Sequence, residues 1–277
     1  MPELPEVETV VRDLQKAGLA GRAIRKVVVQ WARSIDALTP RNFAKRVCGQ
    51  SIVNISRRGK FIILELSDGQ FLLIHLRMTG RLIIGGNVER EKDYERVALL
   101  LDDGRWLQFL DTRKFGRWCL VNSLEERLGM LGPEPLSTAF TSRLLTQKLA
   151  DHQRMLKPLL LDQRFLAGLG NIYVDEALWD AQLHPMRLSS SLSLSESGQL
   201  YRSIRKVLRR GIHSQGTSLG DGQTNFYSVA GRRGRNQDRL RVFRKAGAAC
   251  PRCGDGIIER IVVGQRGTHI CSSCQKI

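Results

Sequence analysis

The sequence predicts an α+β protein with two domains: an N-terminal antiparallel β-sandwich with flanking helices, and a C-terminal helical domain that carries a zinc-finger β-hairpin. Three observations support this prediction. Residues 20–122 contain short apolar runs joined by turn residues. The residues after Pro133 place apolar side chains at helical spacing, and the C-terminal end contains paired cysteines. A chain of 277 residues, 42% of them apolar, is long enough for one large domain or two ordinary ones.

The first predicted element is a helix that begins at Pro5. Proline is favoured in the first turn of a helix, and Glu6 and Glu8 complement the positive end of the helix dipole. The residues that repeat at helical spacing and form its apolar face are Val7, Val10, Val11 and Leu14. Packing of that face fixes the position of the residues just before the helix.

Pro2 is a candidate nucleophile. If Met1 is removed, the nitrogen of Pro2 is a free secondary amine, and terminal amines have a pKa of about 8, so that a useful fraction is unprotonated at neutral pH. Attack on a sugar C1′ or an aldehyde would form an iminium ion. The carboxylates of Glu3 and Glu6 are close enough in sequence to transfer protons around it. The alternative is that Pro2 merely precedes the helix.

The β-sandwich is predicted from two hairpins. Residues 61–66 and 71–76 are apolar runs separated by the turn residues 67–70. Residues 96–101 and 105–109 repeat this arrangement. Several such hairpins in succession are typical of a sandwich or a barrel.

The domain boundary is predicted at residues 131–135, where two prolines and a glycine interrupt both periodicities. We assign residues 1–132 to an N-terminal β-sandwich domain, residues 133–240 to a helical domain and residues 241–277 to a C-terminal segment that carries the paired cysteines.

The helical domain contains two informative segments. Ser193 and Glu196 predict a capping box at the start of an amphipathic helix, whose basic face is either solvated or meets phosphate. Gly168 and Gly170 would let backbone amides approach an anion, and Asn171 can cap the helix that follows. The alternative is an ordinary turn between helices.

The formal net charge of +17 is too large for a typical cytosolic metabolic enzyme. It indicates a polyanionic partner, nucleic acid before membrane. A solvated basic surface without a partner is the alternative. The sequence has no apolar run of about 18 residues and no secretory signal pattern, so we expect a cytoplasmic, nucleoid-associated protein.

The C-terminal cysteines predict one structural zinc ion. They form two Cys-x-x-Cys pairs: Cys250 with Cys253, and Cys271 with Cys274. Two such pairs on a hairpin can present four thiolates tetrahedrally and leave no open coordination position. A redox pair or two disulfides are the alternatives.

Together these segments resemble the formamidopyrimidine-DNA glycosylase family, the bacterial enzymes that remove oxidised purines such as 8-oxoguanine from DNA. Residues 2–9 resemble its N-terminal signature, residues 168–173 its helix-two-turns-helix element, and the cysteine pairs its zinc finger. The resemblance covers the whole chain. It implies that residues 133–240 are a helix-two-turns-helix domain, and that the protein is a monomer that binds double-stranded DNA containing oxidised bases or abasic sites.

The resemblance implies a bifunctional DNA glycosylase and abasic-site lyase of base excision repair. By that resemblance Pro2 forms a Schiff base at C1′ of the damaged nucleotide, and β,δ-elimination follows. Glu3 is then the acid and base nearest the sugar, while Glu6 supports the N-terminal geometry. Lys60 resembles the family lysine that contacts DNA and has a proton role in β-elimination. Arg266 resembles the zinc-finger arginine that binds phosphate and is linked to δ-elimination.

Further DNA contacts follow from the same resemblance. A base that reacts must leave the stack, so side chains must fill the gap. Met78, Arg113 and Phe115 match the family's insertion set, and their chemistry suits wedging and contact with the opposite base. From spacing alone, Met78 and Phe115 would more often be core residues. Lys157 and Asn171 resemble the helical-domain residues that bind backbone phosphates.

Residues 216–226 correspond to the family's lesion-covering loop, but they are longer and richer in glycine, which leaves the preferred lesion open. The sequence leaves two alternative functions. An endonuclease VIII-like glycosylase for oxidised pyrimidines would share the catalytic proline, but Leu4 and the insertion set argue against it. A noncatalytic damaged-DNA-binding protein would keep the zinc finger and the basic surface, but the presence of Pro2 and Glu3 argues against it.

Overall fold

The computed structural model describes residues 1–86, 93–220 and 226–277. Contacts within the chain divide it into two compact units, Met1–Met130 with Ser214–Gln237, and Leu131–His213 with Asp238–Ile277. The predicted α+β fold class is confirmed. The first unit is built mainly from β-sheet, and the second is mainly helical with a pair of strands near its end.

Two sheets build the first unit. Their strands are β1 (Ile24–Val29), β2 (Ile35–Asp36), β3 (Ile52–Arg58), β4 (Phe61–Leu66), β5 (Phe71–His75), β6 (Arg81–Gly85), β7 (Glu95–Leu101), β8 (Trp106–Leu110) and β9 (Arg117–Val121). The four-stranded sheet has the order β1-β7-β8-β6, and the five-stranded sheet has the order β2-β9-β5-β4-β3. Paired neighbours run antiparallel, except that β2 is parallel to β9. Both predicted hairpins are present, as β4 with β5 and as β7 with β8.

The helices of this unit are α1 (Leu4–Lys16), α2 (Pro40–Val47) and α3 (Glu125–Leu128), with a short 3-10 helix at Ala32–Ser34. Apolar side chains of α1 and of both sheets share one core. Trp118 of β9 is fully buried in it and contacts Phe43 of α2 edge to face, with ring centroids 6.5 Å apart. The predicted apolar face of α1 lies in this core, and the helix packs on β3 and β4.

The second unit contains the longer helices and the hairpin. Its elements are α4 (Ser142–Ala150), α5 (Leu156–Leu161), α6 (Asn171–Asp180), α7 (Leu194–His213), β10 (Ile258–Val263) and β11 (Arg266–Cys271), with short 3-10 helices at Ser189–Ser191 and Asn236–Arg239. The predicted capping box is present: the amide of Ser193 donates to Glu196 Oε2 (2.8 Å) and the amide of Glu196 donates to Ser193 Oγ (3.2 Å). Within the part of the chain that the structure describes, no helix has the length and hydropathy of a membrane span.

Ser214–Gln237 is counted with the first unit, although the sequence assigns these residues to the helical domain. The reason is packing that the local pattern does not reveal. Val229 is buried in the core of the first unit, and the amide of Thr217 donates to Glu6 of α1 (2.8 Å). The segment therefore returns to the β-rich unit after α7 ends.

Candidate active site and zinc centre

The N-terminal cluster is buried. Pro2 lies directly before α1 and is buried, and Glu3 and Glu6 are 2% and 1% exposed. Glu6 Oε2 accepts a hydrogen bond from the amide of Glu3 (2.9 Å), which fixes the backbone next to Pro2. The structure therefore brings together the three residues that the sequence predicts at the reacting sugar.

The second oxygen of Glu6 binds the segment after α7. Glu6 Oε1 accepts from the amide of Thr217 (2.8 Å). The neighbouring Gly216 has φ +81°, and a Cβ atom there would lie 3.0 Å from Glu6 Cγ and 2.9 Å from the Phe226 ring. Glycine is needed here on both counts. Glu6 thus joins the start of α1 to the base of the predicted lesion-covering loop, of which residues 221–225 lie outside the described residues.

Lys60 lies in the tight turn between β3 and β4 and is 5% exposed. Arg57 holds this turn: its Nη1 donates to the carbonyl of Gly59 (3.0 Å) and its Nε donates to Glu8 Oε2 of α1 (3.1 Å). Burial raises the pKa of Glu8, but hydrogen bonds from Arg12 and Arg57 and their charges outweigh it, so the net pKa is lowered. The carboxylate therefore stays charged, and the ion pair links the turn of Lys60 to the helix that follows Pro2.

His75, to which the sequence analysis gives no role, is a buried neutral base in the same unit. Burial, together with the charges of Arg77 and Lys60, lowers its pKa to about 3. Its Nδ1 accepts a hydrogen bond from the amide of Arg77 (3.0 Å), so the neutral ring carries its proton on Nε2. His75 lies three residues before Met78 in the sequence, but only its burial in the structure indicates that the ring is neutral.

Met78, Arg113 and Phe115, here called the wedge residues, lie on two neighbouring connections. Met78 lies between β5 and β6, and Arg113 and Phe115 lie between β8 and β9. Because β5 pairs with β9 and β6 pairs with β8, both connections leave the same ends of the two sheets. Met78 is 41% exposed and Phe115 is 46% exposed, which excludes the core interpretation. The guanidinium of Arg113 lies 4.8 Å from the centroid of the Phe115 ring.

Lys157 does not fit its predicted role as a phosphate ligand. Its side chain is fully buried, with Nζ 2.5 Å from Asp175 Oδ1 of α6 and 3.0 Å from the carbonyl oxygen of Gly267 in β11. Asp175 Oδ2 in turn accepts from the amide of His269 (2.9 Å). A buried lysine with an acidic partner is a structural ion pair. We therefore assign Lys157 to positioning the hairpin of β10 and β11.

Asn171 also contacts this hairpin. It is the first residue of α6, and the capping position belongs to Gly170, so the prediction that Asn171 caps the helix is wrong. Its Nδ2 donates to the carbonyl of Gly267 (3.1 Å). Arg266, the residue before Gly267, is exposed at the start of β11, directly after the turn of Gly264 and Gln265. The second unit thus fixes the backbone beside Arg266 and leaves its side chain exposed.

The basic face of α7 is largely tied to its own unit. Arg205 donates to the carbonyl of Pro135 (2.6 Å), Lys206 pairs with Asp180 (2.7 Å), and Arg210 pairs with Glu176 (2.7 Å). These side chains stabilise the packing of the helices. Two cations of this face, Lys206 and Arg210, therefore already have acidic partners within the unit.

Four cysteines form the metal centre. The Sγ atoms of Cys250 and Cys274 are 3.8 Å apart, those of Cys253 and Cys271 are 3.7 Å apart, and all four lie within 4.8 Å of one another. A tetrahedral zinc ion with Zn–S bonds of about 2.3 Å separates its sulfur ligands by about 3.8 Å. The donor set and its spacing fit one structural zinc ion, as the sequence predicts.

Three family profiles match the chain. The formamidopyrimidine-DNA glycosylase N-terminal domain matches residues 1–118, and the formamidopyrimidine-DNA glycosylase H2TH domain matches residues 131–222. The zinc finger found in FPG and IleRS matches residues 247–277, which contain all four cysteines. The three profiles follow one another along the chain in the order that the sequence motifs predict.

Full-length relatives and solved structures agree with the profiles. The chain is 49% identical to the formamidopyrimidine-DNA glycosylase of Protochlamydia amoebophila over 276 residues, which is 100% of both chains. It is 44% identical to that of Herpetosiphon aurantiacus, covering 99% of this chain and 100% of the relative. A Lactococcus lactis FPG mutant in complex with Fapy-dG DNA has a TM-score of 0.91 at 36% identity, with 100% of both chains covered. The Lactococcus lactis protein in complex with abasic-site DNA has a TM-score of 0.90 at 36% identity, covering 99% of this chain and 100% of that one.

Proposed function

The chain belongs to the formamidopyrimidine-DNA glycosylase family, and we propose that it is a bifunctional DNA glycosylase and abasic-site lyase of base excision repair. Its substrate is double-stranded DNA with an oxidised purine or an abasic site, and it acts as a monomer at the nucleoid in the cytoplasm. The observation that carries the proposal is the buried cluster in which Pro2 precedes α1 and is flanked by Glu3 and Glu6. Binding of Fapy-dG DNA by a structural neighbour supports the substrate class.

The reaction begins after Met1 is removed. The lone pair of the Pro2 nitrogen attacks C1′ of the damaged nucleotide, and the bond between C1′ and the base breaks. Its electron pair leaves with the base, which takes up a proton. The nitrogen then loses its proton, O4′ takes one up, and the C1′–O4′ bond breaks, which opens the sugar ring and gives an iminium ion whose positive nitrogen accepts electrons in the following steps.

Two eliminations follow from the iminium ion. Loss of a proton from C2′ expels the 3′ phosphate, and loss of a second proton from C4′ expels the 5′ phosphate. Water then adds to C1′ of the iminium ion, and the C1′–N bond breaks, which releases the sugar fragment as an aldehyde and restores the amine of Pro2. Each elimination needs a base near the sugar and a cation near the departing phosphate.

Glu3 is the proposed acid and base at the sugar. Glu6 is less suited to that role because both of its oxygens accept backbone hydrogen bonds, one from Glu3 and one from Thr217. Protonation of Glu6 would disrupt one of these bonds, so its contribution is to hold the backbone beside Pro2. Glu3 is next to the nucleophile in sequence and shares its buried environment.

Lys60 is the proposed proton carrier and DNA contact in β-elimination. Its backbone is fixed by the turn that Arg57 holds. The nearby His75 is neutral and therefore adds no competing positive charge beside the ammonium group. The backbone of Lys60 is thus fixed within the same unit as Pro2.

Arg266 and Asn171 are the proposed phosphate ligands of the second unit. Arg266 is exposed on a strand whose neighbouring carbonyl, that of Gly267, is held by Lys157 and Asn171. A guanidinium binds phosphate through paired hydrogen bonds, and it stabilises the charge that develops as a phosphate leaves. This supports a role for Arg266 in the δ-elimination step.

Borohydride trapping tests the proposal. The purified protein, with its N-terminal mass measured, is mixed with a duplex that carries one 8-oxoguanine opposite cytosine. Borohydride reduces the iminium ion, so a covalent adduct that maps to Pro2 is expected. Protein that retains Met1 is the matched control, because its Pro2 nitrogen is an amide and forms no adduct.

The other outcomes separate the competing functions. An adduct on a duplex with thymine glycol but none on the 8-oxoguanine duplex would replace the oxidised-purine assignment with an oxidised-pyrimidine one. Absence of an adduct on both duplexes, with a free Pro2, would overturn the enzymatic proposal and leave a damaged-DNA-binding protein.

A further inference from the structure

Asp111 lies where the two connections that carry the wedge residues meet. We define the Met78 loop as residues 76–80 and the Arg113 loop as residues 111–116. Asp111 is 1% exposed and directly follows β8. Its own backbone is fixed on both sides, because its amide donates to the carbonyl of Tyr94 (2.9 Å) and its carbonyl accepts from Arg96 Nε (2.8 Å).

The carboxylate of Asp111 binds both loops. In the Met78 loop, the hydroxyl of Thr79 donates to Oδ1. In the Arg113 loop, the amide of Arg113 donates to Oδ1 (3.2 Å) and the amide of Gly116 donates to Oδ2 (2.7 Å). The amide of Arg113 also lies 3.3 Å from Thr79 Oγ1. One buried carboxylate therefore accepts hydrogen bonds from both loops.

The two loops also rest on a single ring. A Cβ atom at Gly80 would lie 2.8 Å from the Phe109 ring, and one at Gly116 would lie 2.2 Å from it. Phe109 is fully buried, so the ring cannot move away. These glycines allow both loops to pack against the Phe109 ring, and the Asp111 carboxylate joins the two loops by hydrogen bonds.

Both loops contain a non-glycine residue in the left-handed region just before a wedge residue. Arg77 has φ +55° and precedes Met78, and Lys114 has φ +60° and precedes Phe115. Such a conformation costs free energy in most residues and persists only where the surroundings hold it. In the Arg113 loop, the ammonium of Lys114 lies 4.2 Å from the centroid of the Trp31 ring. The wedge side chains are therefore displayed by a backbone that is held in place before DNA binds.

We propose that Asp111 is a positioning residue for nucleotide flipping, which holds the Met78 loop and the Arg113 loop in one fixed arrangement so that the wedge residues enter the duplex together. This inference rests on the proposed function. An ordered wedge lowers the conformational entropy lost when the gap in the duplex is filled. Asp111 itself does not touch DNA in this proposal.

The chemistry of Asp111 can be tested with a nearly isosteric change. In D111N, an amide NH₂ replaces one carboxylate oxygen and faces a backbone N–H that needs an acceptor, whichever way the side chain is turned. T79V removes the hydroxyl that links the loops and leaves the bonds within the Arg113 loop. T79S keeps that hydroxyl and is the matched control.

Single-turnover excision is measured on a duplex with 8-oxoguanine opposite cytosine, and strand cleavage on a single strand with an abasic site, which needs no flipping. We expect D111N and T79V to slow duplex excision roughly ten-fold or more, because D111N leaves a buried N–H without an acceptor and T79V removes the hydrogen bond that joins the two loops. Cleavage of the single strand should change by less than about two-fold, since Pro2 is unaffected. T79S should restore duplex excision.

Opposite-base preference distinguishes positioning from general destabilisation. If the wedge is displaced, the ratio of excision opposite cytosine to excision opposite adenine should narrow in D111N and T79V, because Arg113 no longer meets the opposite base. The inference would be overturned if excision opposite cytosine and excision opposite adenine slowed equally, so that their ratio did not change. It would also be overturned if duplex excision did not slow at all. If D111N does not fold, T79V and T79S decide the outcome by the same criteria. Failure of the wild-type protein on both substrates would instead refute the proposed function.

Discussion

At the scale of single residues, burial decides the charge of His75. The ring is 8% exposed, lies among positive charges, and has a pKa of about 3. An unfolded chain would protonate this histidine near pH 6.5. Because the folded pKa is the lower one, its neutral form stabilises the fold above about pH 6.5, and this stabilisation is lost as the pH falls toward 3.

A comparison of the wild-type protein with H75N tests this. The Asn oxygen can replace Nδ1 as the acceptor for the Arg77 amide, but the side chain does not titrate. Between about pH 6 and pH 3, the free energy of unfolding of the wild type should fall by up to about 1.4 kcal/mol per pH unit more than that of H75N. Denaturant unfolding at several pH values measures the difference. Parallel curves for the two proteins would show that His75 is not held neutral.

The zinc cysteines and Lys157 differ in how well the sequence predicts their roles. The four cysteines are predicted correctly because a metal ion dictates ligand type and spacing. The role of Lys157 is not predicted correctly, because the residues around a lysine in the sequence do not show whether its ammonium group binds phosphate or a buried carboxylate such as Asp175. Its partner lies 18 residues away, and only the packing of α5 against α6 brings them together.

At the scale of elements, local patterns determine much of the fold. The β4–β5 hairpin is predicted because its turn residues and apolar alternation act over a few positions. The association of Ser214–Gln237 with the first unit is not visible in the local sequence pattern, because it depends on burial of Val229 in that core and on the bond from Thr217 to Glu6, which is distant in sequence. Long-range packing of this kind has no local signature.

The zinc hairpin is the element whose stability depends most on one ligand. Its cysteines share a small apolar cluster with Trp179 of α6 and Val242. Removal of zinc with a chelator should disorder the hairpin and change the fluorescence of Trp179, because the ring loses its packing. The core of the first unit does not include these residues, so most of the β-sheet circular dichroism should persist.

Trp179 can be separated from the other tryptophans with W179F, in which the chelator-dependent fluorescence change should be lost. The loss of zinc should also weaken DNA binding, because Arg266 lies on the same hairpin. If the chelated protein kept both its fluorescence and its affinity, the zinc ion would not be structural.

At the scale of the whole molecule, the net charge of +17 should make the affinity for DNA depend on salt concentration. Lys206 and Arg210 of α7 have acidic partners within their own unit, so the net charge alone does not give the number of cations that contact phosphate. Each cation that does meet phosphate releases counterions and steepens the salt dependence of binding. The slope of log affinity against log salt concentration is therefore a measure of the number of these contacts.

Arg266 provides a test of that count. For an undamaged duplex, R266A should reduce the slope of log affinity against log salt concentration by about 1, because one phosphate contact is lost. R266K keeps the charge and should leave the slope nearly unchanged, although it loses the paired hydrogen bonds of a guanidinium. Fluorescence anisotropy between about 50 and 200 mM salt gives both slopes. Equal slopes for R266A and the wild type would place Arg266 away from the phosphate backbone and would remove the support for its role in δ-elimination.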